Sequence, residues 1–223
     1  MDLKYGINDA YTLDLTLIPD FGQVSFDEQV NNLSPFEVFY QERRPFFMEG
    51  LELFSRAELF YSRRIGADNT YVQENGVEDG KSIVDYPTNN KLINAFKLTG
   101  RGSDGLGIGV FNAIEVRSFA TIADNETGET EQLLINPTSN FNIIVLDKNL
   151  KNNSYISFVN TNVMRQGKFR DANVTGVDFD IRNKNQNYFV KGNGAVSYIS
   201  EGPIAKPGYK YLINAGKNSG NFR

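Results

Sequence analysis

Apolar and polar residues alternate with a period of two along most of this chain, the spacing of strands with one apolar face. Leu3, Tyr5 and Ile7 alternate with Asp2, Lys4 and Gly6, and after Asn8-Asp9-Ala10 the pattern resumes as Tyr11, Leu13, Leu15 and Leu17 against Thr12, Asp14 and Thr16. This predicts a first hairpin within residues 1–30, closed by Pro19-Asp20-Phe21-Gly22, where proline cannot donate to a ladder and glycine permits the turn. From residue 91 to 223 the same texture predicts successive hairpins. Asn94, Phe96 and Leu98 lead into Leu106, Ile108, Val110, Ile114 and Val116, and further strands follow at 141–147, 155–163, 174–182, 188–199 and 209–216. The sharpest alternation sets Val177, Phe179 and Ile181 against Asp178, Asp180 and Arg182. The fold class is therefore all-β, an antiparallel meander of hairpins.

Between these regions the period changes. Residues 31–65 are at once aromatic and charged, running through Glu42-Arg43-Arg44-Pro45-Phe46-Phe47-Met48-Glu49-Gly50 into a stretch of helical character over 51–60. We read this as an irregular or helical segment inserted between hairpins, and the polar, Gly/Asn-rich residues 68–90 as a loop. Periodicity by itself fits both a soluble sandwich and a membrane barrel, since either buries one face of each strand. Strands of about 9 to 11 residues, with Tyr and Phe at several strand ends, favour part of a transmembrane β-barrel. No stretch approaches the roughly 18 apolar residues of a spanning helix, and the first residues lack the basic and apolar regions of a signal peptide.

Composition removes many chemistries. With no His and no Cys, the chain cannot build a Ser-His-Asp triad, a Cys nucleophile, a Cys/His zinc site or a disulfide. Its 23 basic and 27 acidic side chains leave a net charge of −4, so no basic field exists to collect nucleic-acid phosphates. Gly100-Arg101-Gly102-Ser103-Asp104-Gly105 has dinucleotide-fingerprint spacing, but a period-two pattern follows where a helix is required, and a hairpin turn explains it. Asp124 to Glu129 offers oxygen ligands off the EF-hand spacing and reads as a solvated loop. We assign no catalytic residue, no metal and no cofactor.

The candidate binding residues are Glu42, Arg43, Arg44, Glu49, Arg63 and Arg64. Two readings stand side by side. They could line a polar constriction that selects anionic or hydroxylated solutes, or the Arg pairs could bridge carboxylates and carbonyls to pin an inward-folded segment to the wall. Glu42 with Glu49 or Glu52 is the one set that a glycoside hydrolase could use as its carboxylate pair.

The runs Asp2-Leu3-Lys4-Tyr5-Gly6, Leu13 to Val24, Glu42 to Gly50, Leu59-Phe60-Tyr61-Ser62-Arg63-Arg64-Ile65-Gly66 and Lys97-Leu98-Thr99-Gly100-Arg101 resemble, in order and spacing, the family known as domain of unknown function 5916. Later, Gly176-Val177-Asp178-Phe179-Asp180 is the best local match. The resemblance implies a Gram-negative outer-membrane β-barrel domain, often preceded by a carbohydrate-binding family 9-like module, with no established reaction. Ile18 stands where an Asn is usual, and the chain ends without the terminal aromatic strand of such barrels. The expectation is therefore a single incomplete barrel domain, an internal fragment whose upstream module and remaining strands lie elsewhere in a longer chain. Its partners would be outer-membrane lipid and a glycan or other small solute. The alternative is a carbohydrate-active enzyme or a soluble carbohydrate-binding sheet.

Overall fold

The computed structural model describes residues 1–19, 35, 38–69, 71, 76–201 and 204–219. The turn expected at Asp20 to Gly22, the start of the inserted segment at 31–34 and the last four residues lie outside them. Among the described residues, nine strands form one antiparallel sheet in sequential order: β1 (Asp2–Asn8), β2 (Tyr11–Leu17), β4 (Leu92–Arg101), β5 (Leu106–Glu115), β8 (Ser139–Leu150), β9 (Ser154–Arg165), β10 (Asp171–Arg182), β11 (Tyr188–Glu201) and β12 (Ile204–Lys217). A second antiparallel sheet joins β3 (Lys81–Asp85), β6 (Ser118–Asp124) and β7 (Thr130–Asn136). β6 and β7 prolong the β5–β8 hairpin past a break at 116–117 and 137–138. The all-β antiparallel class is thus established, with the sheet open at β1 and β12 and no closed barrel among the described residues.

Two strand elements were hidden from pattern reading. β3 lies in the stretch read as a loop, because its Lys81, Ser82 and Asp85 give no apolar face and four of its five residues are exposed. The β6–β7 hairpin buries only Ala120, Ile122 and Ile135, too few for a legible alternation. Gly100 and Arg101 end β4 and Gly102 to Gly105 form the turn into β5, strand to strand, with no helix to receive a pyrophosphate.

The long sheet has two unlike faces. One carries Leu13 and Leu15, Phe96 and Leu98, Ile108 and Val110, Ile144 and Leu146, Ile156 and Phe158, Val177 to Ile181 at alternate positions, and Tyr209 and Tyr211; many are more than two-fifths exposed. We call it the outer face. A row of amides, Asn112, Asn142, Asn162 and Asn173, crosses it on β5 and β8–β10, with Asn112 donating to Asn140 and Asn142 at 2.6 and 2.8 Å. The inner face carries Thr12, Asp14, Lys97, Glu115, Asp147, Ser157, Asp178 and Asp180. As the alternation predicts, Val177, Phe179 and Ile181 point outward and Asp178, Asp180 and Arg182 inward.

Registers are staggered. The row that crosses β2 at Thr12, beside the turn at 9–10, continues through Thr99, Gly109, Val145, Val159 and Gly176 to Ala195, progressively farther from the corresponding turns. Strands that tilt relative to a common axis give this march. The short turns 9–10, 102–105, 151–153 and 183–187 share one end of the sheet, and the long connections 18–91 and 116–138 leave from the other, which also carries the 166–170 turn.

The long connection folds back over the inner face. It holds two single-turn helices, α1 (Pro45–Met48) and α2 (Leu51–Phe54), and 3-10 turns at Arg56–Glu58 and Ser62–Arg64. Pro45 opens α1 at N1, where its missing N–H costs nothing, and Gly50 precedes α2 in a left-handed conformation (φ 66°). Such short helices are not stable alone; burial holds them. Phe46, Phe47, Phe54 and Phe60 surround Phe111 of β5, with ring centroids 5.6 to 6.4 Å away. Phe47 and Phe54 are each 1% exposed, and full burial of one such ring stabilises by about 1.5–3 kcal/mol. Close approach requires glycine beneath. A Cβ at Gly107 would stand 2.9 Å from the Leu53 side chain, and one at Gly176 2.6 Å from that of Leu59.

Candidate functional site

The polar side of this contact is built around Arg44, 5% exposed. Its Nε and Nη2 donate to the two oxygens of Glu42 at 2.8 and 2.7 Å, the paired fork that guanidinium and carboxylate favour. Nη2 also donates to the Ser62 carbonyl at 2.8 Å and Nη1 to the Ile65 carbonyl at 2.5 Å, while the guanidinium lies 4.0 Å from the centre of the Phe47 ring. Glu42 further accepts from Ser62 Oγ at 2.6 Å and from the N–H groups of Arg43 and Arg44. Burial alone would raise the Glu42 carboxyl, but the hydrogen bonds from Arg44 and Ser62 and the Arg44 charge outweigh it and hold the group below its usual range. Two stretches of chain some twenty residues apart are thereby clamped together.

Strand side chains fix the segment from beneath. Lys97 Nζ, on β4, donates to the Phe46 and Glu49 carbonyls at 2.5 and 2.6 Å, closing the end of α1, and lies 3.7 Å from Asp14. Glu49 itself is exposed and pairs with Lys4 at 2.5 Å. Toward the short-turn end, the fully buried Asp147 meets Arg101 Nη2 at 2.5 Å, Ser157 Oγ, and Arg56 Nε at 3.0 Å. The Arg56 approach is an ion contact, since Nε has no acceptor in line. Arg56 also stacks on Tyr155, which donates to Asp178 at 3.1 Å, and Asp180 takes a forked pair from Arg182. Among the described residues, Lys97, Arg56, Arg101 and Arg182 in this string each lie against a carboxylate on the same face, and Asp178 is held by the Tyr155 hydroxyl.

A half-open cavity of about 220 Å³ lies between residues 59–65 and the inner face of β8–β10. Phe60, Tyr61 and Ile65 wall it on one side, Phe141, Val163 and Val174 on the other. Arg64 and Arg165 are the charged residues of its lining among the described residues.

The six sequence candidates therefore separate. Glu42 and Arg44 form the buried clamp; Glu49 reaches β1; Arg43 is exposed; Arg64, 6.0 Å from the Tyr61 ring, lines the cavity; and Arg63 is half-buried beside it in sequence. The structure does not gather them into one constriction. Lys97, Arg56, Asp147 and Arg165 escaped sequence reasoning, although each charge on the polar phase of an alternating strand, as at Phe96-Lys97-Leu98, was a signal that the phase faced protein.

Over residues 1–223 the chain matches the model of the family described as Domain of unknown function (DUF5916), and it belongs to that family. No match was found among curated proteins or among solved structures.

Proposed function

We propose that this chain forms part of the wall of a β-barrel in the outer membrane of a Gram-negative bacterium. Its outer face meets lipid, the 38–66 segment packs inside, and the barrel serves the passage or surface handling of a solute, with glycans among the candidates. One observation carries the reading: large apolar side chains stand exposed on strand after strand of one face, while the other collects paired charges. Exposed apolar side chains gathered on one face mark membrane or protein contact surfaces. The register stagger supports the same reading. Against the glycoside-hydrolase alternative, Glu42, common to both candidate carboxylate pairs, is buried and held by Arg44 and Ser62.

The chain has no cysteine, so single-cysteine spin labels are specific. In the protein reconstituted in phospholipid bilayers, labels at Phe158 and Val177 should be relaxed by oxygen and protected from a water-soluble nickel chelate. A label at Asn193, on the inner face, should show the reverse. Equal chelate access at all three positions would refute the membrane placement.

A further inference from the structure

Polarity on the outer face changes in a fixed order toward the long-connection end: exposed apolar residues, then the amide row, then the exposed cations Arg117, Lys168 and Arg170. The amides hold a level. From Asn140 and Asn142 on β8 to Asn160 and Asn162 on β9 the polar positions shift one pair nearer the short turns while the registers march the other way, so the amides of β5 and β8–β10 stay six to ten residues from the short-turn ends of their strands. At about 3.3 Å per residue and a tilt of about 40° that is about 15–25 Å of depth, against an outward apolar band about 25 Å tall in membrane barrels. Tyr188 and Tyr198 bracket the same span on β11: both point outward, are 55% and 59% exposed, and Tyr198 pairs with Asn173 of the row. Ile114 and Met164 flank Asn140, so the boundary is graded. Beyond it, Arg117, Lys168 and Arg170 form no salt bridge among the described residues. The carboxylates beside them in the chain face elsewhere: Glu115, 2% exposed, accepts the Gly66 N–H, Asp171 accepts the Arg165 N–H, and both act on the Arg165 charge. Arg117 lies 5.6 Å from the Phe119 ring, at a half-open cavity of about 210 Å³ shared with Leu134 and with Gly167 and Phe169 of the turn that carries the other two cations.

We propose that this edge seats the headgroup layer of the membrane, with the amide row at the depth of the lipid esters and Arg117, Lys168 and Arg170 on the phosphates of anionic phospholipid. The order of chemistry along the strands is then that of a leaflet read outward from its hydrocarbon. Amides bond one another across the strands, as Asn160 does Thr175 Oγ1 at 2.7 Å, but each also carries donors and an acceptor that water and ester carbonyls satisfy and hydrocarbon does not. Exposed Lys and Arg beside an anionic lipid surface are attracted to it. Phe119, Leu134 and Phe169, under Arg117, offer an apolar wall to the chain below a bound phosphate. The proposal rests on the reading of the outer face as lipid-facing, and it names the depth of the chain in the bilayer and the class of lipid at its boundary.

Two measurements test it on the protein reconstituted in phosphatidylcholine bilayers containing a minority of phosphatidylglycerol. Single-cysteine spin labels at Phe158, Asn142 and Lys168 should give a ratio of oxygen to nickel-chelate accessibility that falls in that order, with the Asn142 label at headgroup depth. An Asn142 label as well protected from the chelate as the one at Phe158 overturns the proposal and leaves the membrane reading standing. Equal chelate access at Phe158 and Lys168 overturns both. Spin-labelled phosphatidylglycerol should associate with the protein about threefold or more strongly than spin-labelled phosphatidylcholine, read from the motionally restricted fraction of each lipid. The triple variant Arg117→Gln/Lys168→Gln/Arg170→Gln should bring the two lipids close to parity, with the label depths at Phe158 and Asn142 unchanged. No preference for phosphatidylglycerol in the parent, or an undiminished preference in the triple variant, overturns the assignment of the cations to lipid phosphate.

Discussion

Replacing Arg44 with Ala tests whether the inward segment is held by its buried clamp or by its aromatic cluster alone. Among the described residues, the substitution removes four side-chain hydrogen bonds, two to Glu42 and one each to the Ser62 and Ile65 carbonyls, and takes the guanidinium from the Phe47 ring. Glu42, whose side chain is 7% exposed, keeps Ser62 and two backbone N–H groups but loses its only ion pair among the described residues. Breaking a buried pair by removing one partner costs about 3–5 kcal/mol, because the remaining charge stays desolvated. Since every 1.4 kcal/mol or so is tenfold, local opening of residues 45–65 should become roughly a hundred- to a few thousandfold more frequent. Hydrogen exchange with mass spectrometry, on the protein in lipid, reads this directly from peptides covering 45–65, with the β8 core around Val145 as internal reference. The double variant Glu42→Gln/Arg44→Met restores neutrality and should recover at least half of the lost protection. If Arg44→Ala leaves exchange over 45–65 within about threefold of the parent, the clamp adds nothing and the reasoning fails.

Acid should loosen the same segment. The folded Glu42 carboxyl lies below its usual 4.5, so its stabilising contribution is full above that pH and is lost as pH falls through the lowered value. Exchange over 45–65, corrected for intrinsic rate, should thus stay level down to pH about 5 and rise below 4.5, and an equal acid response in Glu42→Gln would contradict the assignment. Glu58→Gly should act in the opposite sense. Glu58 is exposed and left-handed at φ 53°, a conformation that costs a residue with a Cβ about 1–2 kcal/mol, so glycine should raise the unfolding free energy read from urea titration by about 1 kcal/mol, and an unchanged or lower midpoint would show that the turn is unstrained.

Alternation by itself determined the meander and the two faces. Side chains on a strand point to opposite sides with a period of two, so Val177-Asp178-Phe179-Asp180-Ile181 could pair only with all of its apolar residues on one side. The Gly100 to Gly105 turn was legible for the same local reason, since strand pattern on both sides left no room for a helix. The pairing of β3 with β6, some forty residues away in sequence, was not legible, because β3, with four of its five residues exposed, needs few apolar positions. Nor was the purpose of inward Gly107 and Gly176. In the sequence they read as weak strand residues, and only the approach of Leu53 and Leu59 shows that a side chain there would collide with the inserted segment. The six charged candidates were found by their residue type and their aromatic neighbours, but the tertiary structure decided their roles. Which groups an arginine meets depends on where chain segments cross: Arg44 is joined to Glu42, Ser62 and Ile65 at the fold-back, while Arg165, on a distant strand, donates to the Arg170 carbonyl and the Asp171 carboxylate.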